Sequence, residues 1–255
     1  MVVSKKRMSS RMVSKQQQLR WLQEGRGQGQ LDTYKPFLNV RDNKSLTERS
    51  SRVYGYKTQR THHLFSDLEL ALFLALDRIQ DIEDIREQIP LDLETTVQIA
   101  EDLKIPHPIE KNVHQILTST FFIVNHSPLK PPCFVVKALK SIHLDQKRTI
   151  AQLELERRYW EQKNIPWFLF TEKDISPTAI DNIKWLYPLN KVNTDIYTFS
   201  KIDFYQTYFI QKPELTLIEL SKYLDTHYSM EAGGSLLEIR ELLAQRYFLF
   251  DITKG

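Results

Sequence analysis

Ser66-Asp67-Leu68-Glu69-Leu70-Ala71-Leu72-Phe73-Leu74-Ala75-Leu76, residues 66–76, is the stretch on which the reading of the fold turns. Ser66 to Glu69 has capping-box spacing, in which a hydroxyl and a carboxylate three residues apart satisfy the free N–H groups of a first helical turn. Leu68, Leu72, Ala75, Leu76 and Ile79 follow at helical intervals, while Leu70, Phe73 and Leu74 occupy the other side. A helix that is apolar nearly all round belongs in the interior of a domain rather than on its surface.

Working outward, residues 85–91, 118–125 and 134–137 are short and rich in β-branched and aromatic side chains. Prolines at 106, 108, 128, 131 and 132 separate them, so they are predicted as strands. A long helix over 148–163 and a strand over 167–171 complete an α/β or α+β domain, placed at residues 61–172. Beyond it, Ser176-Pro177 opens a helical region with helices over 203–211, 215–228 and 235–245, a Gly233-Gly234 turn, and a closing strand over 247–252. That order fits a small winged-helix-like module at 173–255, and generic helical packing explains it equally well. Upstream, residues 1–60 read as an irregular arm broken by Gly25, Gly27, Gly29, Pro36 and Gly55.

A chain of 255 residues that is 41% hydrophobic can bury one large or two small cores unaided. The single cysteine, Cys133, excludes an internal disulfide and a cysteine-rich zinc site, and it suits a reducing cytoplasm. No apolar run of about 18 residues is present, and the basic start lacks an apolar segment behind it, so neither a membrane span nor a secretory signal is expected. The net charge is only +3, yet its sign is uneven. Residues 1–30 carry Lys5, Lys6, Arg7, Arg11, Lys15, Arg20 and Arg26 against the lone acid Glu24. Such an arm either tracks a phosphate backbone or is a solvated tail.

A buried acidic helix feeding strands that end in a lysine is the layout of restriction-endonuclease-like nucleases. There carboxylates hold Mg²⁺, and a lysine helps to polarise the water that attacks a phosphodiester. Glu69 would be the helix carboxylate, and Lys137, closing Phe134-Val135-Val136-Lys137, would be the lysine. Each has an ordinary alternative: Glu69 can simply close its capping box, and lysine is common at exposed strand ends. The histidines do not supply a zinc pair, since His62-His63 are adjacent and His107 and His114 lie seven apart.

Longer strings resemble the TnsA family of transposition endonuclease subunits. They are Glu24-Gly25-Arg26-Gly27-Gln28-Gly29, His62-His63-Leu64, Ser66 to Ala71, Asp84-Ile85-Arg86-Glu87-Gln88, Leu153-Glu154-Leu155-Glu156-Arg157-Arg158-Tyr159-Trp160 and Ile165-Pro166-Trp167-Phe168. The resemblance implies a restriction-endonuclease-like N-terminal domain that cuts 5′ strands at transposon ends with Mg²⁺. It also implies a winged-helix-like C-terminal domain, and as partners a TnsB-like DDE transposase, a TnsC-like ATPase regulator and DNA. The family glutamate and lysine fall on Glu69 and Lys137. The family aspartate falls on Thr120 and the family glutamine on Val135, and no Asp or Glu lies between Lys111 and Ser141 to replace them. Mg²⁺ is usually held by one or two carboxylates, so this loss removes about half of the protein's charge at the site.

Three readings follow: a TnsA-type subunit that bridges its partners with an impaired 5′-strand nuclease site, an active Mg²⁺-dependent endonuclease, and a stand-alone DNA-binding protein. If the basic arm meets phosphates, its removal is expected to weaken DNA binding. The log–log salt slope should fall by about 0.9 for each phosphate no longer neutralised, and an unchanged slope in a salt titration would leave the arm a solvated tail.

Overall fold

The computed structural model describes residues 13–42, 49–110, 112–187 and 198–254. Close Cα neighbourhoods divide the chain into two compact units, Met1–Ile175 and Ser176–Gly255.

The first unit is built on a four-stranded sheet of β3 (Ile82–Pro90), β6 (Thr118–Asn125), β7 (Cys133–Ala138) and β8 (Trp167–Phe170), hydrogen-bonded in that order. β3, β6 and β7 run antiparallel, which loops can connect, whereas β8 is parallel to β7. A parallel return needs a crossover, and helix α4 (Lys147–Gln162) supplies it. Helix α2 (Asp67–Arg78) is the helix expected from the opening stretch, with Leu68, Glu69, Ala71 to Leu74, Leu76 and Asp77 all buried. The Phe73 ring of α2 packs on Phe121, while Trp160 of α4 packs on Phe122. Successive strand residues point to opposite faces, so α2 and α4 cover opposite faces of the sheet.

Helix α3 (Leu93–Asp102) was not expected from the sequence; the Asp92 carboxylate caps it by accepting from Thr95 N at 2.8 Å. The short hairpin of β4 (Ile109–Glu110) and β5 (Val113–His114) leads from α3 into β6.

The arm is not irregular where it is described. Lys15–Gln23 form helix α1, capped by Ser14, and Ser51–Gly55 pair as β1 with β2 (Arg60–Leu64) in an antiparallel ribbon. Trp21, Tyr34 and Phe37 are buried, so these residues belong to the first unit. The glycines at 25, 27 and 29 serve a turn. Gly27 has φ +82 and lies where a Cβ would stand 2.3 Å from the Pro90 ring; Gly29, at φ +92, would meet the Thr33 carbonyl oxygen at 2.6 Å.

The second unit is helical: α5 (Pro177–Leu186), α6 (Thr198–Gln211), α7 (Leu217–His227) and α8 (Gly234–Ala244). Its core holds Leu186, Tyr205, Leu220, Leu224, Ile239 and Leu242. The strand expected over 247–252 is absent. A strand needs a neighbour for its N–H and C=O groups, and among the described residues none pairs with it. Phe248 instead packs edge-on against Phe209 of α6, and Leu249 is left exposed.

What ties the first unit together is Glu87 of β3, which is fully buried. Its carboxylate accepts from Arg60 Nη1 at 2.8 Å and Nη2 at 2.6 Å, and from His63 N at 3.1 Å. His62 Nδ1 lies 2.7 Å away. Arg60 also donates to Ile85 O and Leu31 O, and its guanidinium lies over the Tyr34 ring, whose hydroxyl donates to Glu87 O. Burial alone would push the Glu87 carboxyl up, but the opposing charges and hydrogen bonds of His62 and Arg60 hold it well below the usual carboxylate range. A depressed acid contributes stability that is present above its unfolded value, near 4.5, and is lost as pH falls toward the folded value. Glu87→Ala should therefore cost about 3–5 kcal/mol in urea melts at neutral pH, because it strands a buried guanidinium. Glu87→Gln should flatten the loss of stability on acidification below pH ~4.5, read by circular dichroism.

Candidate active site

Glu69 is the third residue of α2. Its N–H donates to Ser66 Oγ at 3.0 Å, and its Oε2 accepts from Phe65 N at 2.7 Å. The capping role is thus realised, with the carboxylate reaching one residue further back than the cap itself.

Thr120 lies in β6 where the ladder with β7 ends. The last backbone pair there is Phe121 with Val136, and beyond it Ala138 N donates to Thr120 Oγ1 at 3.1 Å. A side-chain oxygen thus stands in for a main-chain acceptor, and Thr120 is 3% exposed. Val135 is fully buried against Leu155, Tyr159 and Trp160 of α4. Lys137, two residues on, shares that face. Its ammonium donates to Thr118 O at 2.8 Å and lies 3.1 Å from Glu156 Oε2 of α4. Glu156 is itself 3% exposed, and its other oxygen accepts from Trp167 Nε1 of β8 at 3.1 Å.

The structure therefore gathers Thr118, Thr120, Lys137 and Glu156 around the end of the β6–β7 ladder. Glu69 belongs to α2, on the face opposite α4, and Val135 contributes packing only. Glu156 was not singled out as a site residue from the sequence. Its signal was there, since it occupies the apolar stripe of α4 formed by Leu155, Tyr159 and Trp160, and an acid in such a stripe calls for a buried partner.

The expected donor set does not fit Mg²⁺ well. Glu69 is its one carboxylate, Val135 is apolar, and the Thr120 hydroxyl is neutral and already accepts a hydrogen bond. Among the described residues no group of three or more His, Cys, Asp or Glu is placed to hold a metal ion. His107 and His114, seven apart in sequence, do meet, with Nδ1 atoms 3.1 Å apart, but no carboxylate joins them.

The basic residues of the arm divide. Lys5, Lys6, Arg7 and Arg11 lie outside the described residues. Lys15 is exposed, and Arg20 pairs with Glu24 at 2.8 Å. Arg26 is bound to Asp42, to Glu24 and to Phe37 O, with its guanidinium 4.6 Å from the Trp21 ring centre. Arg26 is thus committed to holding the Gly25–Gly29 turn against the core.

Residues 80–172 match the family described as TnsA-like endonuclease N terminal, and residues 174–252 match the TnsA endonuclease C terminal family. Over 237 residues, covering 92% of this chain and 86% of the relative, the sequence is 40% identical to the transposon Tn7 transposition protein TnsA of Escherichia coli. The chain belongs to the TnsA family. Thr120, Val135, Lys137 and Glu156 all lie within the N-terminal TnsA match. No helix among the described residues is long and apolar enough to cross a membrane.

Thr120→Val keeps the shape of the side chain but leaves the Ala138 N–H without its acceptor. It should cost about 1–3 kcal/mol, whereas Thr120→Ser should stay near wild type, as measured by urea denaturation.

Proposed function

We propose that this chain is a TnsA-type subunit of a heteromeric DNA transposase that bridges a TnsB-like transposase, a TnsC-like ATPase regulator and transposon-end DNA, with its own 5′-strand nuclease centre impaired. One observation carries the reading: at the end of the β6–β7 ladder the position of the metal-bridging acid is the neutral Thr120, whose hydroxyl is taken by Ala138 N. Lys137 is meanwhile held by Glu156 and Thr118 O. The order α2, three antiparallel strands, α4 and a parallel strand supports a restriction-endonuclease-like core for the first unit. Membership of the TnsA family supports the transposition setting and its partners.

Glu69 is the one carboxylate of the expected ligands, and Glu156 is engaged by Lys137 and Trp167, so Mg²⁺ would be held weakly or not at all. What the residues present can do is hold an ammonium in a fixed place. Glu156 orients Lys137, and Trp167 in turn fixes Glu156.

A second reading, an active endonuclease, is favoured by that same Glu156, which brings a carboxylate to 3.1 Å from Lys137 on a different element. Purified chain, transposase and regulator, incubated with labelled end DNA and Mg²⁺, distinguish the two. The impaired site yields 3′ breaks and joining with little 5′ nicking, so insertions stay attached to donor DNA. Thr120→Asp with Val135→Gln should gain 5′ nicking, and adding Glu69→Ala should abolish the gain. Efficient 5′ nicking by the native chain, lost on Glu156→Gln, would overturn the impaired reading in favour of the active one.

A further inference from the structure

Residues 49–66 carry Arg49, Arg52, Lys57 and Arg60 and contain no Asp or Glu. They form the β1–β2 ribbon, and its two faces do different things. One face, with Arg60 and His62, turns inward onto Glu87. The other carries the directly opposed pairs Arg52 with His63 and Tyr54 with Thr61. Arg52 and Thr61 are exposed, and Tyr54 is 44% exposed. Val40 N donates to His63 Nδ1 at 3.2 Å, which brings the neighbouring exposed Arg41 to the root of this face. Arg49, also exposed, lies two residues before β1.

The ion pairs set these arginines apart. Arg20, Arg26, Arg157 and Arg158 are each matched to carboxylates. Arg41, Arg49 and Arg52 make no ion pair among the described residues. Two carboxylates touch the ribbon and both are buried: Glu87, already engaged by Arg60 and His62, and Asp77, which accepts from Lys57 N at the ribbon's turn at 3.4 Å. Asp42, beside Arg41, is taken by Arg26, so among the described residues no acid is paired with the arginines of the solvent face. Between the charges this face offers two hydroxyls, that of Thr61 and that of Tyr54, which donates at 2.9 Å to the exposed Gln59 side chain.

We propose that this face of the β1–β2 ribbon contacts the backbone of duplex DNA, with Arg41, Arg49 and Arg52 on phosphates and the Tyr54 and Thr61 hydroxyls positioned to donate to phosphate oxygens. Guanidinium and hydroxyl donors are the groups that fix a protein's register on a duplex, and a two-stranded ribbon is narrow enough to follow a groove. The ribbon is anchored from behind by Glu87, so its charges are presented from a rigid element. This assignment rests on the DNA-directed function proposed above and adds to it a surface distinct from the Lys137 site and from the basic residues 5–26.

The test is a salt titration of the full chain on a transposon-end duplex, comparing wild type, Arg41→Gln/Arg49→Gln/Arg52→Gln, the single variant Arg52→Gln, and Arg157→Gln/Arg158→Gln as a loss of charge elsewhere. The triple variant should lower the log–log slope by about 2.7 and Arg52→Gln by about 0.9, with about a 5- to 10-fold loss of affinity for the single change near 100 mM salt. The Arg157/Arg158 variant should keep the wild-type slope. Wild-type slope in the triple variant, or an equal drop in the Arg157/Arg158 control, overturns the ribbon assignment alone. Failure of the wild-type chain to bind duplex DNA overturns it together with the function on which it rests.

Discussion

A carboxylate with no access to water, Glu87, sets the terms for the first unit. Burying an ion is costly unless every lone pair is satisfied and an opposite charge is at hand. Here the requirement is met by groups from β2 (Arg60, His62 and the His63 N–H), with Tyr34 and Leu31 of the arm completing the surroundings of Arg60. His62 in turn packs on Phe73 of α2, with ring centres 4.3 Å apart. Ribbon, arm, sheet and core helix are therefore fixed to one point by interactions that are directional, where apolar packing alone would tolerate sliding. The inward face of the ribbon is specified by this ion, and its outward face is left free to carry charge.

The ion pair between sheet and crossover helix, Lys137 with Glu156, does a different job. It is less enclosed on the lysine side, with Lys137 25% exposed, and it ties the end of β7 to the crossover helix. Together with the Thr120 hydroxyl on Ala138 N, it keeps the end of the β6–β7 ladder ordered. A lysine and a main-chain N–H would otherwise be left unsatisfied in a half-buried place. Glu156 and Thr120 meet those two needs.

How much of this was legible in the sequence depended on the range of the interaction. The capped helix from Asp67, the strands at 118–125 and 133–138 and the long helix at 147–162 all follow from periodicity and capping, which are local. α3 was not legible: Thr95, Thr96 and Val97 are β-branched and weaken a helical pattern, and the Asp92 cap offsets them. α1 was hidden by polar residues whose single large anchor, Trp21, finds its partner Phe37 across the turn. The aromatic run at 247–250 imitates a strand, but its aromatic Phe248 seals a helical core. Among site residues, the family resemblance grouped Glu69, Thr120, Val135 and Lys137. It did not show that Val135 is core, that Arg26 is spent on Asp42, or that Glu156 reaches Lys137 from a different element, because those depend on which faces meet.

The turn of glycines at 25, 27 and 29 carries a consequence for assembly of the chain in time. Gly27 sits against Pro90, and Tyr34 closes onto Glu87, 53 residues further along. Helix α1 is held by Gln18, whose amide spans His114 O and Ile116 N. None of these partners exists when the N-terminal segment leaves the ribosome, and the sheet that presents them waits for β6 and β7. That segment is thus made before the partners it docks on, a high-contact-order arrangement of the kind that slows folding. Until it docks, Trp21, Tyr34 and Phe37 lack the partners that bury them, and the lysines, arginines and glutamines among which they lie oppose association of the exposed segment.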